Sequence, residues 1–114
     1  MIELQLPLPP SINNLWRRSG SRIHKSAEYA AWLLEAGWRA REQYNGEPIS
    51  GKYHLSVDVY RPDKRRRDLD NFSSKAVSDL LVSLRLVRDD SDCDKIIAQW
   101  AEGGDGIYVR VQPV

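Results

Sequence analysis

Apolar and polar residues alternate at the start of the chain. Ile2, Leu4, Leu6 and Leu8 are interleaved with Glu3, Gln5 and Pro7, which is the period of a half-buried strand, and Pro9 and Pro10 close it. A helix is predicted from about Ala27 to Tyr44, with Ser26 as N-cap, Glu28 in the first turn and Asn45–Gly46 as the stop. Its apolar stripe is expected to be Ala30, Leu33, Leu34, Gly37 and Tyr44, flanked by Trp32 and Trp38 as packing residues. Tyr53, Leu55, Val57 and Val59 alternate with His54, Ser56, Asp58 and Tyr60 in a second strand that Pro62 ends. Phe72, Ala76, Val77, Leu80, Leu81 and Leu84 then repeat at helical spacing. Two β-prone runs, Ile96 to Trp100 and Ile107 to Val111, are joined by Gly103, Gly104, Asp105 and Gly106, a hairpin signal. The expected order is strand, helix, strand, helix, hairpin, an α+β fold in a single domain over residues 1–114.

Between these elements the chain is polar. Residues 11–21 read as a loop, and two uses remain open for it: a surface connection, or a nucleic-acid arm in which Trp16 stacks while Arg17 and Arg18 meet phosphate. His54 reads as a solvent-face residue without a role, whereas His24 lies beside the basic loop. Arg88 to Asp94 is an acidic loop. Asp90, Asp92 and Asp94 meet the start of an EF-hand pattern, but Lys95 stands where glycine is needed, so a calcium loop of that type is excluded. There is no internal repeat, low-complexity tract or glycine-rich phosphate loop.

Composition narrows the classes. With 41% hydrophobic and 29% charged residues in 114, the chain is long enough to bury a core, and no apolar run reaches the roughly 20 residues of a membrane span. The N-terminus reads as a strand rather than a signal peptide, and a single cysteine, Cys93, fits a reducing compartment, so a cytoplasmic location is expected. The formal charge of +1 conceals segregation. Cations gather at Arg17, Arg18, Arg22 and Lys25 and again at Lys64 to Arg67, while Asp89, Asp90, Asp92 and Asp94 share one loop.

The candidate chemistry lies in Lys64, Arg65, Arg66, Arg67, Asp68, Leu69, Asp70 and Asn71, where four cations run into two carboxylates. Residues i and i+2 of an extended or turning chain share a side, so Asp68 and Asp70 can converge while Leu69 faces the core. Such a pair suits a hard divalent cation whose shell phosphate oxygens complete, and the basic run suits the polyanion carrying them. Asp70 or Asn71 could also cap the following helix, which would leave the other aspartate and the cations unaccounted for.

Arg61 to Asn71, Lys75–Ala76 with Asp79, and Asp89–Asp90 together resemble the RusA-type Holliday junction resolvases, the crossover junction endodeoxyribonucleases. Leu6 to Ser11, Asn13–Asn14 and the His24 to Glu28 segment are similar to the same family. The resemblance implies a small mixed α/β domain acting as a homodimer in DNA recombination and repair. It further implies a Mg²⁺-dependent endonuclease, with Mn²⁺ as a substitute, that nicks four-way DNA junctions symmetrically. Asp68, Asp70 and Asp90 would be the metal ligands, with Lys75 completing the catalytic set. Lys64 to Arg67, Arg17, Arg18, Asn14 and Trp16 would contact DNA. No membrane or nucleotide cofactor is implied. One feature departs from the family pattern: Lys75 follows Asn71 by four residues rather than three. Either the turn absorbs the extra residue or Lys75 pairs with Asp79 one helical turn on. Arg85 also stands where a glycine commonly ends this helix. Two other readings are a branched-DNA-binding protein of the same descent that does not cut, and an unrelated enzyme holding a nucleotide-sugar metal on Asp68 and Asp70.

Overall fold

A computed structural model describes residues 1–114. Six strands and two helices follow in the order β1 (Ile2–Leu6), β2 (Trp16–Ser19), β3 (Arg22–Lys25), α1 (Ala27–Gln43), β4 (Tyr53–Tyr60), α2 (Ser74–Ser83), β5 (Cys93–Ala101) and β6 (Ile107–Pro113). Four of the strands form a mixed sheet in the order β1-β6-β4-β5, and β2 and β3 form a separate hairpin. The small mixed α/β fold expected from the sequence is the fold observed.

Alternation decides which way the sheet faces. Ile2, Leu4 and Leu6 of β1, Tyr53, Leu55, Val57 and Val59 of β4, and Ile107, Val109 and Val111 of β6 are all buried, and with the helices they build one core. The other sheet face is polar and half-buried. There Asp58 of β4 accepts from Gln99 at 2.8 Å and from Arg110 at 3.3 Å, an ion pair between neighbouring strands. β1 stops at Leu6, one apolar position short of the predicted strand, and Leu8 is left exposed among prolines.

The predicted terminal hairpin is not one. β4 lies between the last two strands, parallel to β5 and antiparallel to β6. The glycine-rich segment therefore arches over the end of β4 instead of making a tight turn. A Cβ on Gly104 would stand 2.6 Å from the Tyr60 ring, and one on Gly106 would collide with the Leu6 carbonyl. Its glycines serve close approach to β4 and β1. Local turn signals carry no information about a strand inserted from forty residues earlier.

Helix α1 keeps its predicted bounds, and the Ser26 hydroxyl caps it by accepting from the Tyr29 N–H. Its buried stripe is Tyr29, Trp32, Ala36, Gly37 and Ala40, rotated from the one predicted. Small residues face the core because the helix packs closely there, with Leu84 of the α2 C-cap beside Gly37. Leu34 and Trp38 are left outside, each 71% exposed, so Trp38 is not a packing residue. Trp32 is one, and its indole N–H donates to the Pro7 carbonyl at 2.9 Å.

Helix α2 is capped by Ser73, whose hydroxyl accepts from the Ala76 N–H, rather than by Asp70 or Asn71. At its far end Arg85 takes φ +59, the left-handed position expected to suit glycine. The Arg85 N–H reaches the Val82 carbonyl and the Leu86 N–H the Leu81 carbonyl, so two orphan carbonyls are satisfied in a Schellman stop.

Candidate active site and nucleic-acid surface

β4, α2 and β5 form a strand-helix-strand unit whose strands are parallel, with Tyr53 opposite Cys93 and Tyr60 opposite Ala101. The connection leaving β4 and the one entering β5 must then lie at opposite ends of these strands. Asp68 and Asp70 belong to the first connection and Asp90 to the second, with Lys75 on the first turn of the helix between them.

At the Tyr60 end, residues 61–68 are exposed. Asp63 accepts from the Arg67 guanidinium at 2.8 Å and from the Arg65 N–H at 2.9 Å, and the Arg67 bond holds its carboxyl below the usual carboxylate range. Two of the four cations are therefore tied to one carboxylate, while Lys64 and Arg66 form no ion pair. Asp68 accepts from the Asp70 N–H at 3.0 Å, capping a 3-10 turn over Leu69–Asn71. Leu69 packs against the core as expected, and Phe72 beside it is half-buried. This turn, with extended Phe72 and Ser73, is where the chain between Asn71 and Lys75 is accommodated before α2 begins. A cavity of about 520 Å³ opens beside Asp68, between Arg66, Arg67, Asn71, Phe72 and Trp100.

At the Tyr53 end the acidic turn is anchored. Arg88 grips Asp92 through two bonds of 3.0 and 3.1 Å, and the Asp92 side chain is only 12% exposed. Asp89 caps this turn by accepting from the Ser91 N–H, a bond that lowers its pKa. Beneath lies the Tyr53 hydroxyl, fully buried and without a hydrogen-bond partner. Burial pushes its pKa up to about 12, helped by the nearby Cys93, Asp90, Asp92 and Asp89. A register shift between Tyr53 and His54 leaves Asp94 unpaired in the ladder, and it meets Lys52 at 3.1 Å.

Lys75 is held by both acids that could claim it, at 3.2 Å from Asp79 Oδ1 and 3.4 Å from Asp90 Oδ2. Its pKa is raised, chiefly by the Asp79 bond and charge and secondarily by Asp90. Of the four predicted catalytic residues, the structure thus joins Lys75 to Asp90 and places Asp68 and Asp70 in a separate pair. No three carboxylate, His or Cys side chains are gathered closely enough to hold a metal ion.

Residues 11–21, predicted as a loop, contain strand β2 and the turn that leads into β3, so the loop begins a hairpin. Trp16 pairs with Lys25 and Ser19 with Arg22 across a two-residue turn in which Gly20 has φ +63. Every residue of both strands is exposed, and this hid them from a search for apolar alternation. The hairpin presents Arg17, Arg18, Arg22, His24 and Lys25, with Trp16 43% exposed and Lys25 over its ring. Asn14 lies exposed at its base, and its carbonyl accepts from the Ser26 hydroxyl at 2.6 Å. Residues missed by sequence reasoning include Tyr29, whose hydroxyl reaches Asp79, and the Arg88–Asp92 pair. Only the four-residue spacing of the latter was legible in advance.

Fold and site define a small mixed α/β protein with free carboxylates beside cationic segments, an arrangement suited to phosphate-bearing ligands. Residues 7–112 match the family described as Endodeoxyribonuclease RusA. The chain is similar to the crossover junction endodeoxyribonuclease RusA of Aquifex aeolicus (strain VF5), with 28% identity over 113 residues covering 96% of this chain and 86% of the relative. It is also similar to the proteins of that name from Enterobacteria phage HK97, at 33% identity covering 80% and 75%, and from Escherichia coli (strain K12), at 32% covering 77% and 72%. This chain belongs to the RusA endodeoxyribonuclease family.

Proposed function

We propose that the protein is a divalent-metal-dependent endodeoxyribonuclease that resolves four-way DNA junctions by symmetric phosphodiester hydrolysis, in recombination and repair. The observation that carries this reading is the pairing of Lys75 with Asp90, in a RusA-family chain whose separate Asp68–Asp70 pair follows a cationic run. Its similar proteins are named crossover junction endodeoxyribonucleases.

The donor set fits a hard cation in its chemistry. Asp68 and Asp70 are exposed carboxylates without an ion pair, and the orphaned Tyr53 hydroxyl lies under the turn that carries Asp90. Asp68, Asp70 and Asp90 would hold Mg²⁺, with Mn²⁺ as a substitute, and the ion would supply activation of water and stabilisation of the leaving oxygen. Lys75 offsets charge developing on the scissile phosphate. Lys64 and Arg66, with Arg65 and Arg67 once Asp63 yields them, grip the backbone, while Asn14, Trp16, Arg17 and Arg18 extend the grip along the hairpin.

Residues 1–114 would act as a single domain, and as a homodimer, which matches two sites to the two-fold symmetry of a junction. Exposed Leu34 and Trp38 on α1, or Ile96 and Ile97 on the edge strand β5, offer apolar surface for such a contact. The setting would be cytoplasmic, where Cys93 stays reduced; no helix is long and apolar enough to cross a membrane.

A second reading, a branched-DNA binder that does not cut, is favoured by the engagement of Lys75 with two carboxylates at once. Incubating the protein with a labelled mobile four-way junction and with linear duplex, with and without Mg²⁺, separates the two. The nuclease gives paired nicks in the junction alone and only with metal. A gel shift with no product in Mg²⁺ or Mn²⁺ establishes the binder.

A further inference from the structure

Lys75 projects from the first turn of α2 into solvent, and nothing on its own helix except Asp79 restrains it. Asp79 is itself restrained from α1. The Tyr29 hydroxyl donates to Asp79 Oδ2 at 2.6 Å, leaving Oδ1 to meet the Lys75 ammonium at 3.2 Å. Tyr29 is completely buried, its ring stacked on Trp32 at 6.5 Å and met edge-on by Trp16 of the β2–β3 hairpin at 5.9 Å. Its burial, and then Asp79, raise its pKa far above the ordinary tyrosine value, so the hydroxyl remains a donor at any working pH. A surface carboxylate can rotate and offer either oxygen. Here one oxygen is committed to a rigid partner, and the other is thereby aimed.

We propose that Tyr29 and Asp79 are positioning residues, a buried tyrosine fixing a carboxylate that in turn fixes the Lys75 ammonium at Asp90. The proposal deepens the nuclease reading and rests on it. A lysine side chain has many rotamers, so an ammonium held in place before substrate arrives spares that ordering during the reaction. Tyr29 and Asp79 touch no substrate in this scheme; they act only through Lys75.

Single-turnover cleavage of a saturating four-way junction in Mg²⁺ tests it, with Tyr29→Phe and Asp79→Asn each made in the parent and in a Lys75→Ala background. Tyr29→Phe keeps the ring and its stacking, so it reports on the hydroxyl even if Asp79→Asn folds poorly. The expected result is a rate lower by about threefold for Tyr29→Phe and about tenfold for Asp79→Asn, with junction affinity within about twofold of the parent. In the Lys75→Ala background both changes should be silent, because the group they position is gone. Equal losses in both backgrounds, or parent rates for both variants, overturn the positioning role and leave the nuclease reading intact. A parent that binds the junction and does not cut it removes that reading and this proposal together.

Discussion

Two arginine–aspartate forks of the same spacing and similar geometry hold the two acidic connections of this protein. Arg67 meets Asp63 at 2.8 and 3.3 Å, and Arg88 meets Asp92 at 3.0 and 3.1 Å. The Asp63 side chain is 39% exposed and the Asp92 side chain 12%. The first fork belongs to a loop that is exposed from residue 61 to residue 68. The second stands on Tyr53 and the core. The same pair of residues thus makes a lightly held segment in one place and a fixed one in the other, and burial sets the difference. For the proposed nuclease, the consequence would be a fixed half, Asp90 and Lys75, and a lightly held half, Asp68 and Asp70 behind the cationic run.

Removing each arginine separates the two forks by their effect on stability. Arg88→Ala strands a buried carboxylate and should lower the melting midpoint by roughly 5–10 °C, while Arg67→Ala should leave it within about 2 °C. Calorimetry on both variants checks this, and similar shifts would make the two forks equivalent. Junction binding should give the reverse pattern. Replacing Arg65, Arg66 and Arg67 by alanine should reduce the log–log salt slope by up to about 2.7, about 0.9 for each phosphate of a duplex arm that is no longer neutralised. Arg88→Ala should leave the slope unchanged. An unchanged slope for the triple variant would make the basic run a solvated face.

A smaller effect lies between the two halves, at the end of α2. Arg85→Gly relieves a left-handed arginine and should raise stability by about 1 kcal/mol in denaturant unfolding, less the entropy glycine adds to the unfolded chain. A further effect appears in alkali. Burial pushes the Tyr53 pKa up to about 12 in the fold from the ordinary 10.0, so the folded state binds its proton more tightly. That contribution is complete below pH 10 and is lost as pH rises from about 10 to about 12. Stability that does not fall between pH 9 and pH 11 would put Tyr53 in contact with water.

What the sequence made legible follows the range of each interaction. The alternation in β1 and β4 and the Ser26 cap are local, and both read correctly. The glycines between β5 and β6 match a tight hairpin turn, while the pairing that overrides that local signal is with β4. The rotation of α1 was invisible because Leu34 and Trp38 are as apolar as the residues that face the core, and the choice was made by Ala36, Gly37 and Ala40 being small. At the site, the cation-to-aspartate run and Lys75 stood out as residue types in sequence. The Tyr29 bond to Asp79 crosses fifty residues, and no periodicity announces it.

Carboxylates on the lightly held loop should be needed for cutting and not for holding DNA. Cleavage and binding of a labelled four-way junction by the parent and by Asp70→Asn in Mg²⁺ test it directly. The variant should bind with an affinity within about twofold of the parent and cut at least about 100-fold more slowly, because it loses a charge for the metal and none for DNA. An Asp70→Asn protein that cuts as fast as the parent would remove the loop carboxylates from the metal site.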